Sequence, residues 1–162
     1  MYTFAAITTD EARAQALKVY QANADYYRVI GEPKPTLATV DYDSREIPTA
    51  VQDKAKHYWL IQDGQETIGV IDLIEGYPDK ETIYVGLLEI MDHRQGHGTA
   101  VLKQLIAAFA GHGYKRMELA TVHADKAAAA FWQAQGFTQL RSVDATLSAG
   151  NKQVVDVLTK DI

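Results

Sequence analysis

The sequence predicts an α+β fold built around a mixed, mainly antiparallel β-sheet. Three observations lead to this prediction. Strand-like and helix-like segments alternate along the 162 residues. Three strand-like segments follow one another between positions 57 and 91, which is typical of an antiparallel meander. A further strand enters a helix directly through the loop HRQGHG, and a helix packed on a sheet is the usual way to bury both apolar faces.

The first half of the chain contains four predicted strands and one long helix. Thr9 or Asp10 is suited to cap this helix, and the sequence GEPKP ends it. Residues 41–44 are predicted to be a polar connection, and Asp63 and Gly64 to form the turn of a hairpin. The predicted elements are, in order, a strand at 2–7, a helix from 10 towards 30, and strands at 57–62, 66–73 and 82–91.

The second half continues the alternation. Gly111 and Gly136 are each placed to end a helix, because glycine readily adopts the left-handed conformation found there. No repeat or linker interrupts the order, so we expect one domain over residues 1–162. The predicted elements are a helix from about 99 to 111, a strand at 116–122, a helix at 125–135, and strands at 137–143 and 153–158.

Composition excludes several classes of function. The chain has no cysteine, which removes thiolate nucleophiles, thiolate metal sites and disulfides. Its net charge of -5 argues against a dedicated nucleic-acid binder, whose affinity comes mainly from Lys and Arg. The chain lacks both a signal-like N-terminus and an apolar run long enough to span a membrane. We therefore expect a soluble, cytoplasmic protein that binds neither nucleic acid nor membranes.

The loop HRQGHG is a candidate anion-binding site. A strand that runs into a helix directs the unpaired N–H groups of the helix into the space beyond the strand, where they carry partial positive charge. Gly96 and Gly98 allow positive φ angles and a close approach of the backbone to a ligand, and Arg94 and Gln95 add donors. The alternative is an ordinary tight turn between a strand and a helix.

Other readings of this region fit poorly. A Rossmann fingerprint needs a third glycine where Val101 stands, and a Walker loop needs Lys and Ser or Thr where Thr99 and Ala100 follow Gly98. The histidines of the loop, HRQGH, have the spacing of zinc ligands. However, the catalytic motif requires glutamate after the first of them and an unbroken helix. The serines lack a nucleophile elbow. We expect no metal and no serine nucleophile.

The order strand, HRQGHG, helix, strand and DKAAAAFWQAQGF resembles the GNAT superfamily of N-acetyltransferases. The acetyl-coenzyme A loop of that family has the form Gln/Arg-x-x-Gly-x-Gly/Ala, and the resemblance is strongest over residues 83–137. It implies a central sheet of about seven strands flanked by about four helices, with the two central strands splayed apart. It also implies an acetyl-coenzyme A cosubstrate, and it leaves a homodimer open.

The resemblance carries a set of binding residues with it. It assigns the pyrophosphate to the backbone N–H groups of residues 95–100, and the thioester oxygen to a backbone N–H near residues 88–90. His93 stands at the first motif position and Asp125 at a place usually held by Asn. Trp132 stands where many relatives carry a tyrosine that is thought to protonate the leaving thiolate. An indole N–H cannot donate a proton in this way, so we expect Trp132 to be a packing residue. The implied cofactor-binding set is Leu88, Glu89, Ile90, Arg94, Gln95, Gly96, His97, Gly98, Thr99, Ala100, Asp125, Ala128, Phe131 and Trp132.

The implied chemistry is direct attack of a primary amine on the acetyl thioester. A base must take the amine proton, and some relatives use a glutamate at the place where Ala120 stands here. The candidates that remain are Glu89 and Tyr84, followed by Glu81 and Glu118. The absence of a glutamate at position 120 and the presence of Trp132 are also compatible with a protein that senses acetyl-coenzyme A without catalysing its reaction. A dinucleotide-binding oxidoreductase is a more remote alternative.

The expected acceptor is a primary amine of a small molecule, peptide or protein, and the sequence identifies it only weakly. An aromatic group and an acidic group of residues could each form part of its binding site. Each group also has an ordinary structural explanation: the aromatic rings could be buried by a helix, and the acidic residues could form a solvated turn. The aromatic group is Tyr20, Tyr26, Tyr27 and Tyr42, and the acidic group is Asp72, Glu75, Asp79 and Glu81.

Overall fold

The computed structural model describes residues 1–49, 51–52 and 55–162. Within these residues the chain forms seven strands and five helices. The elements are β1 (Thr3–Ala6), α1 (Asp10–Ala22), α2 (Ala24–Val29), α3 (Leu37–Arg45), β2 (Lys56–Asp63), β3 (Glu66–Glu75), β4 (Thr82–Ile90), α4 (His97–Gly111), β5 (Arg116–Val122), α5 (Lys126–Ala134), β6 (Thr138–Thr146) and β7 (Lys152–Asp161).

The strands form one mixed sheet in the order β1-β2-β3-β4-β5-β7-β6. Every neighbouring pair is antiparallel except β4 and β5, which are parallel because the crossover helix α4 connects them. The predicted α+β class and the seven strands are confirmed, and the helices number five among the described residues where about four were expected.

The two central strands separate towards their carboxyl ends. β4 pairs with β5 only from Thr82 to Val85, so the part of β4 that reaches Ile90 has β3 as its single partner strand among the described residues. A register shift between β3 and β4 leaves Gly86 as the extra residue, and a Cβ atom there would lie 2.5 Å from an oxygen of Asp72. The predicted splay of the central strands is therefore present.

The long predicted helix is two helices. Thr9 is the cap of α1, since its hydroxyl accepts the Ala12 N–H at 3.1 Å. The helix ends at Asn23, whose buried side chain donates to the Val19 carbonyl at 2.8 Å and so replaces a backbone donor. The prediction of one helix from 10 towards 30 was wrong at this point, because nothing in the polar pattern marks the break.

The polar connection predicted at 41–44 lies inside α3. The Thr36 N–H donates to the Thr39 hydroxyl at 2.9 Å, which starts this helix, and Val40 is completely buried on its inner side. Asp41 accepts two hydrogen bonds of 2.8 Å from Arg13 of α1. The prediction failed because a short helix with one buried residue gives a weak apolar signal, and the neighbouring Asp41 and Asp43 are both polar.

Each face of the sheet carries its own apolar cluster. One lies under α4 and α5 and includes Leu102, Met117 and Trp132. The other lies under α1 to α3 and includes Tyr20 and Val70. No helix in the described part of the chain combines the length and apolar character needed to cross a membrane.

Candidate active site

The loop between β4 and α4 has a strained backbone that opens the helix N-terminus. Arg94 and Gly96 both adopt left-handed φ angles, of 68° and 82°. The first helical bond runs from the Ala100 N–H to the Gly96 carbonyl at 3.0 Å. The N–H groups of the first turn, at His97, Gly98 and Thr99, therefore have no acceptor within the helix. This geometry is suited to an anion.

Gly98 has a different role from Gly96. Positive φ was expected at both glycines, but Gly98 lies within the first turn of α4 and keeps an ordinary helical backbone. A Cβ atom at Gly98 would lie 3.3 Å from the Phe131 ring of α5 and 3.7 Å from Ile90. Glycine avoids a tight contact here, because α5 approaches the helix start closely.

The predicted binding residues of α4 and α5 lie side by side. Gln135, next to the end of α5, donates to the Thr99 hydroxyl at 3.0 Å and so connects the two helices. Asp125 caps α5 by accepting the Ala128 N–H at 3.1 Å. The structure thus brings the predicted residues of the loop and of α5 to one end of the sheet.

Trp132 lies in the apolar core beneath this site. Its side chain is buried and makes edge-to-face contacts with Phe131 and Phe137, each with ring centres 5.0 Å apart. Such contacts stabilise aromatic clusters beyond simple burial.

Asn23 supports the loop from the other face of the sheet. Its side-chain amide donates to the Ile90 carbonyl at 3.1 Å, and its oxygen lies 2.8 Å from Nε2 of His93. The second histidine, His97, places Nδ1 2.9 Å from the Tyr2 hydroxyl. Sequence analysis missed Asn23, because an asparagine inside a predicted helix carries no distinguishing pattern. The described residues contain no group of three or more metal-ligating side chains.

Glu89 is a buried carboxylate near the end of β4. Its side chain is 5% exposed, and its Oε1 accepts a hydrogen bond of 2.7 Å from the Tyr27 hydroxyl. Oε2 is buried and has no hydrogen-bond partner among the described residues. Burial raises the pKa of Glu89 to about 8, although the Tyr27 hydrogen bond acts in the opposite direction. A carboxyl group with this pKa is largely ionised, and so able to take a proton, above about pH 8.

The backbone beside Glu89 offers donors to the gap between the central strands. The Met91 N–H donates to the Ile68 carbonyl of β3 at 2.8 Å. Since successive N–H groups of a strand point to opposite sides, those of Leu88 and Ile90 point away from β3 towards the gap. These are the donors expected near the thioester oxygen.

A cavity of about 670 Å³ lies on the α1 to α3 face and extends across both splayed strands. β4 contributes Gly86 and Leu87, and β5 contributes Ala120. Of the predicted aromatic residues, Tyr26, Tyr27 and Tyr42 line it, whereas Tyr20 is completely buried. Of the predicted acidic residues, Asp72 lines it; Glu75, Asp79 and Glu81 are not among the lining residues.

Tyr84 and Glu118 lie on the cavity wall far from Glu89. They face each other in the β4–β5 register, and burial raises the pKa of Tyr84 to about 12. Tyr84 and Glu89 are five positions apart in the extended strand, a distance of about 16 Å along the backbone. Tyr84 and Glu89 therefore do not form one catalytic pair, and Glu81 is exposed just before β4.

Comparison with known proteins agrees with this geometry. A model of the acetyltransferase (GNAT) family matches residues 16–137, and the chain belongs to this family of acyltransferases. The resemblance seen in the sequence is confirmed. No curated protein matches the chain in a sequence search.

Solved structures share the fold over nearly the whole chain. An acetyltransferase from Thermus thermophilus is 25% identical, with a TM-score of 0.76 and coverage of 100% of this chain and 97% of the other. A Bacillus subtilis acetyltransferase in complex with CoA is 14% identical, with a TM-score of 0.62 and coverage of 99% and 97%. The spermidine N-acetyltransferase of Vibrio cholerae, in complex with CoA and spermine, is 18% identical, with a TM-score of 0.67 and coverage of 99% and 95%.

Proposed function

We propose that the protein transfers an acetyl group from acetyl-coenzyme A to a primary amine by direct attack. One observation carries the proposal: the same end of β4 holds an open helix N-terminus and the buried carboxylate of Glu89. The first suits the pyrophosphate of the donor, and the second suits the proton of the acceptor. Family membership supports acetyl transfer, and the cytoplasm remains the expected location.

The residues present fit acetyl-coenzyme A, which supplies an activated acetyl thioester when bound. The free N–H groups at the start of α4 would hold the pyrophosphate. No atom of the described residues outside the loop itself lies within 4 Å of a Cβ position at Gly96, so a ligand can approach there. Arg94 and Gln95 add donors at the loop. Phe131 and Ala128 of α5 are partly buried against the core cluster, and we assign them to the coenzyme arm.

In the proposed reaction the amine nitrogen bonds to the thioester carbonyl carbon, the C–S bond breaks, and the sulfur leaves as a thiolate. Glu89 accepts the proton that the ammonium form of the amine loses before attack, and the proton that the nitrogen loses after attack passes to the departing thiolate. A free amine has a pKa of about 10.4, so a base with a pKa of about 8 leaves a gap of roughly 2.4 units, against about 6 for an ordinary glutamate. The N–H groups of Leu88 and Ile90 donate to the carbonyl oxygen as negative charge develops on it. A thiolate of pKa about 8.5 leaves without a protein acid.

The direct test is release of free thiol from acetyl-coenzyme A in the presence of a panel of primary amines. Amine-dependent release, with the acetylated amine detected by mass spectrometry, is the expected result. Binding of acetyl-coenzyme A without release for any amine would indicate the sensor alternative. A thermal shift with NAD but none with acetyl-coenzyme A would indicate a dinucleotide site.

Replacing Gly98 with valine should weaken acetyl-coenzyme A binding by about tenfold or more. The new side chain would collide with Phe131 and occupy the space in front of the free N–H groups, and loss of one charge-assisted hydrogen bond alone costs about this much. Isothermal titration calorimetry measures the change.

Gly111→Val is the matched control, because it makes the same substitution at the far end of α4 in open space. It should bind acetyl-coenzyme A as the unmodified protein does. Equal affinity in a folded Gly98→Val protein would contradict the assignment of the loop.

A further inference from the structure

The cavity whose wall includes Tyr27, the hydrogen-bond partner of Glu89, has an excess of negative charge. Five carboxylates line it, and two of them face cations: Asp72 is held by Lys56 at 2.7 Å, and Glu118 lies 3.9 Å from Arg141. The other three carboxylates are Glu32, Asp43 and Glu46, and no ion pair links them to a cation within residues 1–49, 51–52 and 55–162.

Asp43 and Glu46 lie together on this wall, at the end of α3. Asp43 accepts a hydrogen bond of 2.7 Å from the neutral Tyr20 hydroxyl, and Glu46 accepts a long one of 3.4 Å from Tyr42. Burial, with a smaller contribution from the charge of Glu46, raises the pKa of Asp43 to about 6. A partly buried carboxylate held only by neutral donors is stabilised when a cation approaches it.

A second observation points to a cationic ligand. Glu89 keeps one buried oxygen without a hydrogen-bond partner among the described residues, while its other oxygen is held by Tyr27 of the cavity wall. An unsatisfied buried acceptor of this kind costs free energy unless a donor reaches it. An ammonium group has three donors and a positive charge, which matches both this oxygen and the charge of the cavity.

We propose that the acceptor carries a second positive charge beyond the amine that is acetylated, and that Asp43 and Glu46 bind this second charge. This inference rests on the proposed function for the reacting amine. The tyrosines at 26, 42, 77 and 84 provide aromatic faces along the cavity, and such faces also attract ammonium groups. Acceptors with a carboxylate at the far end are disfavoured, because Arg141 already faces Glu118.

Three five-carbon amines that differ only at the far end provide the test: cadaverine, pentylamine and 5-aminopentanoate. Their affinities are measured by titration calorimetry in the presence of coenzyme A, and their kcat/KM values by thiol release. Cadaverine should bind about tenfold or more tightly than pentylamine, since one additional charge-assisted hydrogen bond is gained. The amino acid should bind most weakly. Added salt should reduce the advantage of cadaverine.

Variants then locate the second charge. Glu46→Gln and Asp43→Asn should each remove most of the preference for cadaverine over pentylamine while affinity for pentylamine stays nearly unchanged. Glu66→Gln is the matched control, because Glu66 is exposed at the start of β3 and does not line the cavity. Glu46 is also exposed, so its variant should fold even if Asp43→Asn does not.

The outcomes separate this inference from the proposed function. Equal binding of cadaverine and pentylamine, or preference for 5-aminopentanoate, overturns the inference even when amines are acetylated. A preference that survives Glu46→Gln and Asp43→Asn overturns the assigned residues. Tighter binding of cadaverine that is lost in these variants supports the inference, even if no thiol is released. Absence of release for every amine then counts against the proposed function alone.

Discussion

Replacing Glu89 with glutamine is expected to lower kcat/KM for the amine by about 100- to 10,000-fold near neutral pH, the usual contribution of a general base. Glutamine has nearly the same shape and still accepts the Tyr27 hydrogen bond, but it cannot take a proton. The unmodified protein should lose activity as the pH falls through about 8, where Glu89 becomes protonated. The variant should recover part of its activity at high pH, where more of the amine is already neutral.

Stability provides an independent measurement for the same substitution. The folded-state pKa of Glu89 is raised from 4.5 to about 8, so the folded protein retains a proton that the unfolded chain has lost between these values. The unmodified protein therefore loses stability from this group as pH rises through the window, and Glu89→Gln does not. The variant should gain in Tm relative to the unmodified protein between pH 5 and pH 9.

Glu66→Gln serves as the control, because this exposed carboxylate should change neither the rate nor its pH dependence. A loss of rate in Glu89→Gln that is equal at every pH would assign Glu89 a structural role. The base would then have to be sought among the other predicted candidates, of which Glu118 lines the cavity from β5.

Trp132→Ala should reduce the free energy of unfolding by about 3–5 kcal/mol, as is usual when a buried aromatic side chain is truncated. The indole is 7% exposed and packs between Phe131 and Phe137, so its removal leaves a cavity below the coenzyme end of the sheet. For a chain of this length, the loss corresponds to a decrease in Tm of roughly 6–20 °C. Thermal unfolding followed by circular dichroism measures it.

Trp132→Phe distinguishes packing from proton transfer. Phenylalanine keeps much of the apolar contact and, like tryptophan, cannot act as an acid near neutral pH. This variant should therefore keep most of the turnover and lose less stability than the alanine variant. A folded Trp132→Phe protein that binds acetyl-coenzyme A normally but has lost nearly all its turnover would contradict the packing role.

Much of the fold could be predicted from the sequence because its signals are local. Alternating apolar residues marked the strands, and glycines marked the turn at Gly64 and the start of α4 at Gly96. The predicted strand at 116–122 agrees with β5 at both ends. The helix α3 was missed, because its stability comes from contacts such as the ion pair of Asp41 with Arg13, which lies 28 residues away in sequence.

The candidate site was predicted only in part, because some of its features have local sequence signals and others depend on tertiary contacts. The anion-binding loop is one continuous segment, so its residues indicate both the turn and the helix that follows. The cavity draws on α2, α3 and five strands, and no local pattern reports which side chains meet there. The role of Asn23, which joins the break between α1 and α2 to Ile90 and His93, likewise depends on tertiary structure alone.

The hairpin of β6 and β7 has a consequence for how this enzyme could be altered. Residues 138–148 supply Arg141, Val143 and Ala145 to the cavity wall, whereas Glu89 and the helix start at Gly96 come from other segments. β6 is an edge strand with one neighbour, so its side chains are exchangeable without disturbing the rest of the sheet. A directed-evolution library confined to this strand would vary the proposed acceptor wall and leave the proposed acetyl-donor loop unchanged in sequence.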